Sequence, residues 1–328
     1  MTAEIVIMNR NGVAMAADSA GTLDTPDGPK VDNHTKKLFS LSTSEPVGIM
    51  IYNNLNLAGI PWEVIIKSYR KYLGDQTFSS VEKYAHHFFD FIESKRIPFE
   101  LQKQDVLYKG DFSGVVFSGF GTSQYLPVTL GFKVNGMVAG EVVKSETANK
   151  RIESGSDVAI CPFAQREMVD QFINGIHPSL LSLVDSTLNS VVRQLIEAVS
   201  TFTPSNPLSE IDEAKVSEIA GLYKAQIDEV ITKRHGAPVL DAIRPLPIEE
   251  LAAVAENLVN LTSLKQQVTN ATATVGGPID VMLISKGDGI VWTKRKHYFD
   301  PRLNYHYLRN YFGSVPGVQL QGGELENV

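Results

Sequence analysis

Thr2-Ala3-Glu4-Ile5-Val6-Ile7-Met8, then Asn9-Arg10-Asn11-Gly12, then Val13-Ala14-Met15-Ala16-Ala17-Asp18-Ser19 is the stretch that decides the fold. It reads as a strand, a hairpin turn at Asn11-Gly12 and a second strand that ends in an acid. Removal of Met1 leaves a threonine with a free amine at the head of the first strand. One residue then carries a hydroxyl nucleophile and the base that activates it. Downstream, Thr35-Lys36-Lys37-Leu38-Phe39 opens a third strand. Asp18 and Lys37 are a carboxylate and an ammonium able to orient and polarise the Thr2 hydroxyl.

The pattern of Thr2, Gly12-Val13-Ala14-Met15-Ala16-Ala17-Asp18-Ser19, Thr22 and Lys36-Lys37 resembles that of the catalytic β-type subunits of proteasome-like N-terminal-nucleophile hydrolases, of the bacterial proteasome-related type. Looser similarity continues at Pro46–Ile51, at Val115–Phe120, and at Gly276-Gly277-Pro278-Ile279-Asp280-Val281-Met282-Leu283-Ile284 with Lys286-Gly287-Asp288-Gly289. The resemblance implies Thr2 as nucleophile, Asp18 as its acidic partner and Lys37 as a buried lysine. It also implies Thr22 as a holder of substrate backbone and a backbone N–H of Tyr52 as oxyanion donor. No cofactor is implied. The expected reaction is cleavage of peptide or other amide bonds through an acyl-enzyme, with the Thr2 α-amine as general base. The expected assembly is a homo-oligomer that encloses the cleft.

Two departures favour a catalytically inactive structural or binding subunit as the alternative. The family supplies an auxiliary serine before its third helix, where this chain has Ala159-Ile160-Cys161-Pro162-Phe163. The family's Asp and Ser ahead of the closing strand fall near Thr272 and Val275 here. An amidase acting on a small molecule is also compatible with this chemistry.

Composition bounds the remaining classes. The 328 residues are 43% hydrophobic and 20% charged, as in ordinary globular proteins. No apolar run reaches the ~18 residues of a membrane span. Glu4, Asn9 and Arg10 interrupt any signal-peptide pattern. The single cysteine, Cys161, excludes an internal disulfide and suits a reducing cytoplasm. It reads as a small core residue, since no nearby histidine supports a nucleophile. A net charge of -7 argues against a nucleic-acid partner. Lys294-Arg295-Lys296 reads as a solvated strand end. His86-His87 are adjacent on a helix and point apart, and Asp24 with Asp27-Gly28 lacks the spacing of a calcium loop.

Periodicity supplies the rest. Strands are expected over 3–19, 37–53, 112–120, 126–134 and 137–143, with Asn135-Gly136 as the intervening turn, and over 157–160. Residues 23–29 read as a loop. Helices are expected over 61–96 and 164–173, and again over 248–267. The stripe of Leu180, Val184, Leu188, Val191, Leu195 and Val199 and that of Ile219, Tyr223, Ile227 and Val230 predict a helical hairpin inserted at 177–246, broken at Thr203–Pro207. Residues 297–328 form a C-terminal extension. Periodicity alone gives an α+β chain. The resemblance adds a four-layer αββα sandwich over a single domain, residues 1–328.

Overall fold

The computed structural model describes residues 2–25, 28–94, 106–107, 111–202, 213–269, 275–297, 299–300 and 303–304. Two sheets dominate. The strands of the first are β1 (Ala3–Asn9), β2 (Gly12–Ala17), β13 (Val158–Ala164), β14 (Asp280–Ser285) and β15 (Gly289–Lys294). They lie in the order β13-β1-β2-β14-β15. The strands of the second are β5 (Leu38–Ser40), β6 (Val47–Asn53), β9 (Val106–Leu107), β10 (Ser113–Gly119), β11 (Val128–Val138) and β12 (Glu141–Arg151). Their order is β12-β11-β10-β6-β5, with β9 also on β11. All pairings within both sheets are antiparallel. Two short hairpins complete the strands, β3 (Gly21–Thr25) with β4 (Gly28–Asp32), and β7 (Asn56–Leu57) with β8 (Ile60–Pro61).

Successive side chains on a strand face opposite sides, and β1 uses both. Ile5 and Ile7 pack on α7 (Ile248–Gln267), with Leu251, Ala255 and Leu258. Val6 and Met8 join Met15, Met50, Val116 and Met282 in a core between the two sheets. A third core joins Ile49, Ile51, Val115 and Phe117 of the second sheet to α1 (Trp62–Leu73) and α2 (Val81–Glu93). The whole of β1 is buried. Each fully buried side chain of the Ile or Met class contributes ~1.5–3 kcal/mol. Thr2 and Glu4 fall on the same face as Val6 and Met8, so the alternation aims both into the space between the sheets.

Several local expectations are revised. The first hairpin turns at Arg10–Asn11, with Asn9 opposite Gly12. A Cβ at Gly12 would stand 2.5 Å from the Ile284 carbonyl oxygen, so close approach of β14 requires the glycine. Asn135-Gly136 is not a turn but a register shift inside β11. The chain reverses at Ala139-Gly140, both at positive φ (53° and 84°), as a two-residue hairpin demands. Residues 23–29, expected as a loop, contribute to the β3–β4 hairpin. β13 extends to Ala164 rather than stopping at Ile160. Pro162 is tolerated because β13 is an edge strand with β1 as its one neighbour. Consequently the helix expected from 164 begins later, as α3 (Glu167–Asn174).

Beyond α3 come α4 (Pro178–Phe202), α5 (Glu213–Ile231), a π-helical turn Thr232–Gly236 and α6 (Ala237–Ile243). An ion pair of 2.6 Å between Lys224 and Asp185 ties α5 to α4. The expected helix break at Thr203–Pro207, and most of the expected extension 297–328, lie outside the described residues. Among the described residues no helix is long and apolar enough to cross a membrane.

Candidate functional site

Asp18 directly follows β2 and collects four donors. Its Oδ1 accepts the Ala3 N–H (3.0 Å) and Lys37 Nζ (2.5 Å). Its Oδ2 accepts the N–H groups of Ala20 (3.1 Å) and Gly276 (3.0 Å). The last of these is set up from a distance. The buried Gln266 in the final turn of α7 accepts the Val275 N–H at 2.8 Å. That contact fixes the approach of the next residue, Gly276, to Asp18.

Lys37 enters from the residue before β5 and is fully buried. Besides Asp18, its Nζ lies 3.3 Å from Glu4 Oε1. Glu4 was not among the residues singled out from the sequence. Its side chain is completely enclosed, and burial pushes its carboxyl up to about 8, against the opposing charge of Lys37. Asp18 adds to the rise, while the neighbouring Thr2 hydroxyl works against it. Both Glu4 oxygens and Thr2 Oγ1 are buried and form no hydrogen bond of normal geometry. Such unsatisfied groups are rare in folded proteins and need a reason. The cluster therefore pairs a saturated carboxylate, Asp18, with an unsatisfied one, Glu4, across a shared lysine.

A second buried ion pair stands behind the first. Asp280, opposite Ala17 in the β2–β14 register, bonds Lys296 Nζ and accepts the Lys296 N–H at 2.8 Å. Burial lowers the Lys296 ammonium, and repulsion from Lys37 lowers it further. The expectation of a solvated basic run at 294–296 is thus corrected for Lys296, which turns inward while Lys294 pairs on the surface with Glu256.

The remaining two sequence-derived residues stand differently. Thr22 lies in β3 opposite Val31 and is exposed. The Tyr52 ring lies between the sheets against Phe163 and Phe112. Its backbone N–H does not face the cleft. Ile51 donates to the Lys37 carbonyl and Asn54 to the Phe112 carbonyl. Alternation therefore turns the Tyr52 N–H toward Gly114 on β10 and the Asn53 N–H toward the Lys37 edge. The oxyanion-donor expectation for Tyr52 is corrected on this ground. Asn53 has φ 62°, a left-handed conformation that asparagine adopts more readily than most residues. Tyr52 and Asn53 line a cavity of about 620 Å³ together with Phe112, Cys161, Phe163 and Arg166. This cavity adjoins the first strand, because Phe163 pairs with Glu4 and Gln165 N–H donates to the Thr2 carbonyl at 3.0 Å. Cys161 is buried, and burial pushes its thiol up to about 11, as an inert core thiol requires. Among the described residues no group of three or more His, Cys, Asp or Glu side chains is placed to hold a metal ion.

No family model matches the sequence, and no curated protein matches it. Similar solved structures exist at low identity. Anbu from Hyphomicrobium sp. strain MC1 is 12% identical, over 97% of this chain and 100% of that one, with a TM-score of 0.41. The helical assembly of the Anbu complex from Pseudomonas aeruginosa is 11% identical, over 98% and 100%, with a TM-score of 0.36. Thiobacillus denitrificans BPH is 10% identical, over 87% and 99%, with a TM-score of 0.38. These findings overturn the membership in the proteasome β-subunit family that the N-terminal pattern implied. No model of any family matches, and the likenesses at TM-scores below 0.5 carry no argument for function.

Proposed function

We propose that the chain is an N-terminal threonine hydrolase of peptide or other amide bonds. The observation that carries this is the convergence, between two sheets, of the buried Thr2 hydroxyl with the Lys37–Asp18 pair (2.5 Å). Once the residues before Thr2 are removed, its α-amine, with a reference pKa of about 7.7–8.0, is a base matched to neutral pH. The amine takes the Oγ1 proton as Oγ1 attacks the substrate carbonyl. Lys37 stabilises the developing charge, and Asp18 holds Lys37 in place. The tetrahedral oxyanion accepts the Asn53 N–H. Collapse expels the substrate amine with the proton, and water then hydrolyses the ester on Thr2. The cavity lined by Tyr52, Phe112 and Phe163 receives the acyl side.

The same proposal includes a four-layer αββα arrangement, supported by the three separate cores. Residues 177–246 are then a helical insertion, and residues 297–328 an extension of a single domain. A cytoplasmic homo-oligomer fits the lone cysteine and the apolar residues left exposed on α4 and α5. One observation favours a non-catalytic binding subunit instead. Thr2 is only 4% exposed, so a substrate must open the site to reach it.

A probe that acylates the hydroxyl of an N-terminal threonine decides between the two. Adduct mass on the N-terminal peptide, lost in Thr2→Ala, is the result expected of the hydrolase. Absence of any adduct on a chain shown by intact mass to begin at Thr2 rejects it.

A further inference from the structure

Glu4 is the one member of the cluster with an unexplained state. Asp18 has four donors, and Lys296 and Asp280 satisfy each other. Glu4 has the Lys37 ammonium at 3.3 Å and the Thr2 hydroxyl beside it, and neither Glu4 nor the hydroxyl makes a hydrogen bond of normal geometry. The groups facing it are few: Lys37, Asp18, the Thr2 hydroxyl and the Tyr52 phenol, whose own proton is held up to about 12 by burial and by Glu4. Across β13 stand Phe163 and the neutral Cys161 thiol. Lys37 and Asp18 already cancel, so an ionised Glu4 leaves the buried cluster one negative charge in excess. A cation is missing from this balance, and a bond cleaved ahead of Thr2 would supply one. In a threonine whose nitrogen and Oγ1 are gauche the two atoms sit roughly 3 Å apart, a consequence of standard bond lengths and staggered rotamers. An α-amine freed at Thr2 therefore arises beside the Glu4 carboxyl.

We propose that Glu4 is the counter-charge and proton partner of the Thr2 α-amine, a positioning residue of the site. Before the residues ahead of Thr2 are cleaved, Glu4 holds a proton and the cluster is neutral. Hydrolysis frees the amine and the carboxyl of the departing residue, whose proton leaves to solvent, and the Glu4 proton passes to the amine, giving carboxylate and ammonium within the site. When the amine must act as base, the same proton returns to Glu4. The pair thus titrates as a unit. The carboxylate also fixes the amine on the side of Thr2 that faces Lys37. This deepens the proposed function and rests on Thr2 being freed.

The test uses the full chain in two forms: with Met1 retained, and with Thr2 freed by cleaving a fusion partner directly ahead of it. Glutamate carbon-13 NMR follows the Glu4 carboxyl. Its titration midpoint should lie near 8 with Met1 retained and fall at least a hundredfold in proton affinity, about two pH units, once Thr2 is free. Equal midpoints in the two forms overturn the proposal. In the freed form, Glu4→Gln should lower the midpoint of the α-amine by about one unit, tenfold, because the ammonium then lacks its counter-charge. An unchanged amine midpoint overturns it as well. The wild-type comparison stands without the variant, so a Glu4→Gln chain that fails to fold does not remove the test. Failure of the hydrolase reading is separate. It would appear as no acyl adduct on Thr2 while both midpoints still shift.

Discussion

The first strand and the α4–α5 pair are both read from apolar residues at regular spacing, and they end in opposite surroundings. Every residue of β1 is buried, including the charged Glu4. On α4 and α5, Leu183, Leu195, Leu222 and Tyr223 are more than half exposed, while Val192, Val216 and Ala220 are buried. A helix with a wide apolar stripe needs cover on a wide arc. The partner helix supplies it over part of that arc only. In β1, neighbours close both faces and both edges, so even a carboxyl without a hydrogen bond is retained. The contrast teaches that the same spacing signal marks a saturated environment in one place and an unsaturated surface in the other.

The sharpest way to break the comparison is Lys37→Ala. It leaves two carboxyl groups in the dry cluster with no cation, and loss of one partner from a buried pair costs about 3–5 kcal/mol. Urea unfolding should show this loss, together with the disappearance of any adduct on Thr2. A change under ~1 kcal/mol would mean that water reaches the cluster.

Next in size is the pH dependence from Glu4 in the chain that retains Met1. The folded carboxyl is raised from 4.5 to about 8, so the folded state binds more protons than the unfolded state between those values. Stability therefore falls as pH rises through that window and levels off above about 8. Glu4→Gln should flatten this slope and be the more stable chain above the window, by an amount of the order of a few kcal/mol. Parallel stability curves for the two chains would show that Glu4 is solvated.

Gly114→Ala probes the floor under Tyr52. A Cβ there would press into the Tyr52 ring, and overpacking of this kind costs about 1–3 kcal/mol. Thermal unfolding should register it, with a smaller effect if the ring swings into the 620 Å³ cavity.

The smallest expected effect on the lone chain is Leu222→Gln on α5, within about 0.5 kcal/mol for an exposed position. Its value lies in assembly. Size exclusion with light scattering on the 36.0 kDa chain should give an oligomer that weakens in this variant. A wild-type monomer at micromolar concentration would leave the exposed leucines as ordinary surface.

Legibility in the sequence divides along the same line. The closeness of Asp18 to the start of β1 is legible because a strand, a tight turn and a strand fix it, whereas Lys37, beyond the β3–β4 hairpin, is placed there by the fold. Glu4 is equally visible, two residues from Thr2 and four from Met8. Period-two alternation assigns it to the inward face, yet as a charge in an apolar run it reads as an interruption. Lys296 is hidden by its neighbours, since three consecutive basic residues read as solvent-facing and only the fold turns one of them toward Asp280. The Asn135-Gly136 pair carries the strongest local turn signal in its region, and the longer pairing of β11 with β12 overrides it. The Tyr52 N–H faces β10 rather than the Lys37 edge because N–H direction along β6 is set by its pairing with β10 and β5, a tertiary fact.

The bond from the Gly276 N–H to Asp18 has a consequence in time. A ribosome delivers Thr2, Asp18 and Lys37 long before Gly276, which comes 258 residues after Asp18. Until that late segment inserts β14 against β2, Asp18 lacks one of its four donors. The surroundings of Asp18 are thus completed by a segment made much later than Asp18 itself. A chain cut short before Gly276 carries Thr2, Asp18 and Lys37 but leaves the Asp18 carboxylate one donor short.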